Sequence, residues 1–382
     1  MRIGQFSDTF LPVVDGVGRV VYSYASTLAR KGHECTVIAP MADTGYRGGY
    51  PFELVDFFSV GVPTQKQYST GIPQLDSHYE ARLNMIPFDV VHAHSPFVAG
   101  QEAIRVARKR DIPLVGMFHS RYYDDFYKLT KQERLANIAV SFIVNFYERC
   151  DSVWTVSTSS AEALNDYGYK GNIEIVSNGT QDILPDDARK AFAIEQLKLP
   201  TDRPILLYCG QMNWKKNIEN ILSAAAMIAA EGADFTLVLA GQGPDAAAIR
   251  ARVEELSLAS RTIMTGHIQS DKLLFGLYQA ASLFVFPSLY DTSGMVVREA
   301  ASMETPSVVS AGSAPAEPIE DGVNGFIADN TPSSLAKAIL GALSDSARLQ
   351  KIGCTARKSI YMSWDKIMDQ VLELYQGLID GK

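Results

Sequence analysis

Short apolar segments alternate with amphipathic ones along almost the whole 382-residue chain, and this alternation restricts the folds open to it. Residues 3–7, 36–39, 89–94, 113–118, 152–156 and 173–177 read as strands. Helical stretches separate them. One follows a Gly-containing loop at 15–18 and is stopped by Gly32; another is a single long helix over 130–149. Residues 181–204 then form a polar break that includes Pro185 and Pro204. A second series has strands at 205–209, 235–240, 263–265, 283–286 and 307–310. Strand and helix alternation at this spacing builds parallel sheets of βαβ units. The chain is therefore expected to be α/β, with two such domains divided near residue 185. In open parallel sheets ligands gather at the C-terminal ends of strands. In a two-domain version, both sheets are expected to present those ends to one cleft.

Composition removes several classes. At 47% hydrophobic and 20% charged the chain is globular, neither a disordered tail nor a charged coiled coil. Residues 1–185 carry 17 Lys/Arg against 20 Asp/Glu, and 186–382 carry 18 against 23, so no charged tail or linker exists. With a net charge of −8, a broad basic face is not expected, and no nucleic-acid partner either. Cys35, Cys150, Cys209 and Cys354 lie far apart and read as small core residues of a reducing compartment. No apolar run reaches spanning length, and the first residues lack a signal-peptide core. A cytoplasmic protein is expected, with any membrane contact peripheral and at the inner face.

The strongest local signal is Pro287-Ser288-Leu289-Tyr290-Asp291-Thr292-Ser293-Gly294-Met295-Val296-Val297-Arg298-Glu299, directly after the strand at 283–286. A polar loop feeding a helix offers free backbone N–H groups and a positive dipole end, which suit a diphosphate. Glu299 lies about one turn into that helix, where a carboxylate can take both hydroxyls of a ribose. The local pattern also allows a plainer reading, with Asp291 capping a loop and Glu299 solvated on the helix.

This segment resembles the acidic loop-helix motif of the retaining family-four glycosyltransferases, whose fold is GT-B, two Rossmann-like domains. In that family two carboxylates eight positions apart hold donor sugar and nucleotide ribose. Asp291 and Glu299 match the spacing, although the first acid is usually Glu. Other segments are similar in the same order: Arg2-Ile3-Gly4-Gln5-Phe6-Ser7-Asp8 with Gly16 and Gly18, Asp89-Val90-Val91-His92-Ala93-His94, Phe118-His119-Ser120, Ser177-Asn178-Gly179, Gly241-Gln242-Gly243-Pro244 and Asp321-Gly322-Val323-Asn324-Gly325. The resemblance spans nearly the whole chain. It implies an acceptor-side domain over 1–185, to which 362–382 returns, and a nucleotide-sugar-binding domain over 186–361.

The resemblance also implies roles. Asp291 binds sugar hydroxyls and His119 orients the sugar, as the catalytic pair. Gly16, Gln211, Lys216, Ile268, Gly294, Met295 and Glu299 form the donor-binding set. Gln211 stands where the family has Arg, so one cation facing the leaving diphosphate becomes neutral; Lys215 or Arg298 is the candidate to compensate, or turnover is slow. The reaction implied is transfer of a hexose from a nucleotide diphosphate sugar, UDP-glucose favoured, with retention at the anomeric carbon. The departing phosphate serves as base. No metal and no other cofactor is required. His92, His94 and His119 read only weakly as a metal trio, since no carboxylate or Cys accompanies them at ligand spacing.

Residues 121–126 are expected to be a loop near the acceptor, giving Tyr122, Tyr123 and Asp124 as acceptor-side candidates. Tyr122, Tyr123, Phe126 and Tyr127 beside Lys128, Lys131 and Arg134 suit an anionic membrane surface, and an ordinary exposed helix fits the same residues. A membrane lipid such as diacylglycerol is one acceptor; a soluble or polysaccharide-precursor acceptor is another. A nucleotide-sugar epimerase and a non-catalytic sugar-nucleotide binder are the competing functions.

Overall fold

The structure, a computed structural model, describes residues 1–11, 16–40, 48–62 and 65–382. The chain divides into two units, Met1–Asn178 with Trp364–Lys382, and Gly179–Ser363.

The first unit contains β1 (Arg2–Phe6), β2 (Glu34–Pro40), β3 (Glu53–Phe57), β4 (Ser59–Val62), β5 (Gln65–Gly71), β6 (Val90–Ala93), β7 (Leu114–Phe118), β8 (Ser152–Thr155) and β9 (Glu174–Ile175). Seven of these pair in the order β3-β2-β1-β6-β7-β8-β9, all in parallel, while β4 and β5 form an antiparallel hairpin. Its helices are α1 (Gly16–Arg30), α2 (Ser77–Met85), α3 (Val98–Arg110), α4 (Tyr122–Thr130), α5 (Glu133–Tyr147) and α6 (Thr158–Asp166). Side chains alternate across each strand. Phe6, Val91, Ala93, Phe118 and Val153 enter one apolar core with residues of α2, α3 and α5. Gln5, His92 and Trp154, their neighbours in sequence, therefore lie on the opposite face and are fully buried there.

Three expectations are corrected here. Gly16 and Gly18 lie in the first turn of α1 rather than in a loop, because Val20, Val21, Tyr24 and Leu28 recur at helical spacing and are buried. Residues 12–15, Asp15 among them, lie outside the described residues. Residues 121–126 start a helix rather than form a loop: Tyr122 stacks on Phe126 and Tyr123 on Tyr127, with ring centroids 6.3 and 6.2 Å apart at i,i+4 spacing. The long helix expected at 130–149 is shorter: Thr130 ends α4, and the span holds only α5, Glu133–Tyr147. Lys131 takes a left-handed conformation (φ 52°) as the C-cap of α4, and Gln132 is extended before α5 begins.

The second unit contains α7 (Asp187–Leu197), an element inside the stretch expected to be a polar break, begun where the Asp186 carboxylate accepts from the N–H of Ala188. There follow β10 (Ile205–Cys209), α8 (Ile218–Ala230), β11 (Thr236–Ala240), α9 (Ala246–Glu255), β12 (Thr262–Gly266), α10 (Asp271–Ala280), β13 (Leu283–Phe286), α11 (Met295–Ser302), β14 (Ser307–Ser310), β15 (Phe326–Ala328), α12 (Pro332–Leu343) and α13 (Ser346–Ser359). The parallel sheet order is β12-β11-β10-β13-β14-β15. Strands covered on both faces need apolar residues throughout, and Leu283–Phe286 and Val308–Val309 are buried without a polar position. Gly241 is required where the loops after β10 and β11 meet: its φ is +138°, and a Cβ there would lie 1.8 Å from the Gly210 carbonyl oxygen.

The chain ends in α14 (Trp364–Asp380), part of the first unit. It buries Trp364, Ile367, Met368, Val371 and Tyr375. Arg30 pairs with Asp365 and Lys31 with Asp369 at its exposed edge. Such exposed pairs add little, and the buried aromatic face supplies most of the attachment.

Candidate active site

In the second unit the strand order reverses between β10 and β13, and such a switch point leaves a crevice at the strand ends. The loop after β10 supplies a single 3₁₀ turn, Trp214–Lys216, whose N–H at Lys215 bonds the Asn213 side chain. The loop after β13 supplies Tyr290 and Asp291. The two loops meet: Lys216 Nζ lies 2.7 Å from Asp291 Oδ1. Lys215 and Lys216 place their ammonium groups 4.6 and 5.4 Å from the centroid of the Tyr290 ring. Asp291 Oδ2 is buried and accepts no hydrogen bond among the described residues. A carboxylate oxygen in that state is a ready acceptor for hydroxyl groups.

Gly294, with φ +58°, turns the chain into α11, and Met295 opens the helix. A Cβ at Gly294 would lie 3.0 Å from Pro315. Glu299, on α11, is not a solvated helix residue. It is 7% exposed, and its Oε2 accepts from the Tyr278 hydroxyl at 2.9 Å. Burial, then Cys209 and Glu299, hold that phenol well above its ordinary range. Of the residues expected to compensate for Gln211, Arg298 directs Nη1 to the Ile360 carbonyl at 2.8 Å. Lys215 shares the turn with Lys216. Gln211 itself is exposed, and its carbonyl accepts from the Tyr208 hydroxyl at 2.8 Å. Ile268 follows β12 and is half-buried against the unit's core.

In the first unit His119 follows β7 and is buried. His92 and His94 share a sheet face, as strand alternation predicts, with ring centroids 4.3 Å apart. His94 Nδ1 lies 3.0 Å from His119 Nε2, and His94 Nε2 lies 2.6 Å from Gln5 Oε1. Gln5 Nε2 donates to the Tyr375 hydroxyl at 3.2 Å, and that hydroxyl lies 2.6 Å from His92 Nδ1. The three histidines thus bond along a chain instead of converging on a point. Among the described residues no group of three or more His, Cys, Asp or Glu side chains is arranged to hold a metal ion. Burial lowers all three imidazoles, His119 to about 4, so His119 is neutral near pH 7.

Gly16 is exposed at the start of α1. Tyr122 packs edge-on to Phe97 and Phe118 and belongs to the core. Tyr123 and Asp124 line a groove of about 580 Å³ with Arg121, Glu162, Asp166 and Tyr167. Sequence reasoning missed Tyr278, Tyr290, Gln5 and Tyr375. Gln5 and Tyr375 carried no signal, since each meets its partners through packing between distant segments.

Two family models match the chain: Glycosyltransferase Family 4 over residues 14–182, and Glycosyl transferases group 1 over residues 189–359. A GDP-mannose-dependent alpha-mannosyltransferase of Corynebacterium glutamicum is 25% identical, with 99% of this chain and 89% of that protein covered. An alpha-monoglucosyldiacylglycerol synthase of Streptococcus pneumoniae is 26% identical, covering 81% of this chain and 70% of that protein. Among solved structures, sucrose-phosphate synthase of Thermosynechococcus elongatus matches with TM-score 0.83 at 21% identity, each chain fully covered. Anabaena HepE in complex with UDP matches with TM-score 0.78 at 18% identity, covering 99% of this chain and all of that one.

Proposed function

The chain belongs to glycosyltransferase family 4 and is a nucleotide-sugar-dependent hexosyltransferase of the GT-B fold, and we propose that it moves glucose from UDP-glucose to a hydroxyl of a membrane lipid such as diacylglycerol, with retention at the anomeric carbon. The observation that carries the donor side is the Lys216–Asp291 pair across the switch point of the second unit. Lys216 and Lys215, with the N–H groups at Gly294 and Met295, meet the negative charge that grows on the departing diphosphate. Asp291 turns its unpartnered Oδ2 to the sugar hydroxyls, and Glu299 takes the ribose. His119, neutral near pH 7, orients the sugar. The bond from the anomeric carbon to the diphosphate oxygen breaks. The acceptor oxygen bonds on the same face, and its proton passes to the leaving phosphate. No metal enters this scheme.

The lipid reading rests on α5. Leu135, Ile138 and Phe142 lie along one side of this helix and are 45%, 66% and 52% exposed. Lys128, Lys131 and Arg134 precede them in sequence and are exposed. An exposed apolar stripe with cations just before it in sequence suits an anionic bilayer surface. UDP-glucose is favoured because a HepE structure holds that donor, and a relative is named as a glucosyldiacylglycerol-forming synthase. Tyr123 and Asp124, in the groove beside α5, are the acceptor-side residues. The test is incubation with UDP-glucose, GDP-mannose or UDP-GlcNAc, with and without diacylglycerol vesicles. Glycolipid and free UDP are expected from UDP-glucose only with vesicles. Product on a soluble acceptor would move the reading to a soluble or polysaccharide-precursor substrate. Isomerised sugar would indicate an epimerase, and tight binding without turnover a non-catalytic binder.

A further inference from the structure

Lys216 and Asp291 come from different loops of the second unit, and one side chain ties those loops together. The turn that carries Lys216 is pinned at its start: the N–H of Trp214 donates to Asp245 Oδ2 at 3.0 Å and that of Lys215 to Asn213 Oδ1 at 3.0 Å. The turn ends at Asn217, which takes a left-handed conformation (φ 62°, ψ 31°) and starts α8. Glycine and asparagine reach that region most readily. A backbone carbonyl can only accept, which fixes the orientation of the Asn217 amide. Its Nδ2 donates one hydrogen to the Pro287 carbonyl at 3.0 Å and the other to Asn330 Oδ1 at 2.6 Å. Pro287 directly follows β13, four residues before Asp291. The Pro287 carbonyl also accepts from Ser310 Oγ, at the end of β14, at 3.1 Å. Asn330 follows β15, and its Oδ1 takes a second hydrogen from Asn220 Nδ2 at 3.0 Å. One amide thus joins the segments that follow β10, β13 and β15.

We infer that Asn217 is a positioning residue: its amide holds the turn carrying Lys216 against the segment leading to Asp291, so that the Lys216 ammonium is in place before a nucleoside diphosphate binds. This rests on the reading that Lys216 faces the donor diphosphate. Lysine is a point charge on a flexible stem. Its ammonium is therefore placed by the backbone beneath it and by the group it pairs with. Lys216 has both supports, Asp291 Oδ1 at 2.7 Å and the tied Asn217 as the next residue. Asn213 and Asp245 secure the start of the turn to the loop after β11, whereas Asn217 secures its end to the segment that leads to Asp291. A charge held in advance needs no reorganisation as negative charge grows on the departing diphosphate.

The experiment is a double-mutant cycle on the full-length protein, read by calorimetry as the Kd for UDP, with GDP as a second probe. Asn217→Gly keeps the left-handed backbone and removes the amide. It should melt within about 4 °C of wild type and bind UDP about fivefold more weakly, while Lys216→Met should weaken binding about tenfold. In the Lys216→Met background, Asn217→Gly should change Kd by less than about twofold, because a residue that acts through Lys216 then has nothing left to position. A role in the fold alone would give the same loss in both backgrounds, and that additivity would overturn the inference. So would wild-type affinity in Asn217→Gly beside a weakened Lys216→Met. Should Asn217→Gly fail to fold, Asn330→Ala, which removes one of the two acceptors, decides in the same two backgrounds: a loss of about threefold that vanishes with Lys216→Met supports the inference, and no loss or an equal loss overturns it. Wild type that binds neither UDP nor GDP, or Lys216→Met with full affinity, would fail the donor reading itself and the inference with it.

Discussion

Glu299 shows how one side chain can hold the fold and a ligand together. Its carboxylate accepts from buried Tyr278, so removing it strands a hydroxyl, at a cost of about 1–3 kcal/mol. Glu299→Gln keeps an acceptor for Tyr278. We expect Glu299→Gln to melt near the wild-type temperature yet bind UDP-glucose at least tenfold more weakly by calorimetry, and Glu299→Ala to lose both. Unchanged affinity in Glu299→Gln would remove the ribose role. The histidines give a pH dependence. Their folded pKa values lie below the ordinary 6.5, with His119 near 4, so below 6.5 the unfolded chain binds more protons than the folded one. Stability is complete above about 6.5 and is lost as pH falls toward 4, by up to about 1.4 kcal/mol per unit for each histidine. Asp8, raised by burial, acts in the opposite sense, while His33, lowered by burial, acts in the same sense as the three. Denaturant melts of wild type and His92→Asn across pH 4.5–7.5 check this; the variant should show a shallower slope. The shared face of His92 and His94 is legible from strand alternation, whereas Gln5 and Tyr375 lie 370 positions apart and meet only through packing.

At the scale of elements, α4 and α5 separate what sequence periodicity blurs. The run Thr130-Lys131-Gln132-Glu133-Arg134 holds no Gly or Pro, so no breaker residue marks the turn that Lys131 makes by going left-handed. Phe126 and Tyr127 suggest an aromatic loop to the eye but pair at i,i+4 as a helix. The strand at 283–286 is legible because burial on both faces keeps all four positions apolar, and the one at 307–310 through its central Val308 and Val309. The short β9 and β15 and the β4–β5 hairpin depend on neighbours for their pairing and leave little local pattern. The exposed stripe on α5 yields a direct prediction. An Ile138→Asp/Phe142→Asp protein should keep its melting temperature, since both side chains face solvent. Its binding to anionic vesicles in a flotation assay should fall more than tenfold, because each buried apolar side chain is worth about 1.5–3 kcal/mol. Vesicle binding at the wild-type level would detach the stripe from the membrane reading.

For the molecule as a whole, the two runs of strand-helix alternation reflect two parallel sheets, each with its own core. The last helix is the least local part of the plan. Ending the chain at residue 363 would uncover Tyr24, His92 and Trp154, which now pack on Trp364 and Tyr375. Calorimetry of that truncated protein should retain a transition for the second unit and lose or sharply lower that of the first. A first-unit transition at the wild-type temperature would mean that α14 is dispensable to its core. Synthesis of the chain meets the same dependence in time. All of Gly179–Ser363 must be made before the first unit receives its closing helix. Joining the ends of so long a flexible loop would cost roughly 4–5 kcal/mol of chain entropy. A folded second unit removes most of that cost, since its own ends meet where the N–H of Thr180 bonds the carbonyl of Met362 and Thr180 bridges Ser363. It then acts as a staple, delivering the last helix a few residues from where the first segment stopped. This connectivity sets an expectation against the usual order from N-terminus to C-terminus: the first unit, and the histidine chain that needs Tyr375, can be completed only after the second unit has been made.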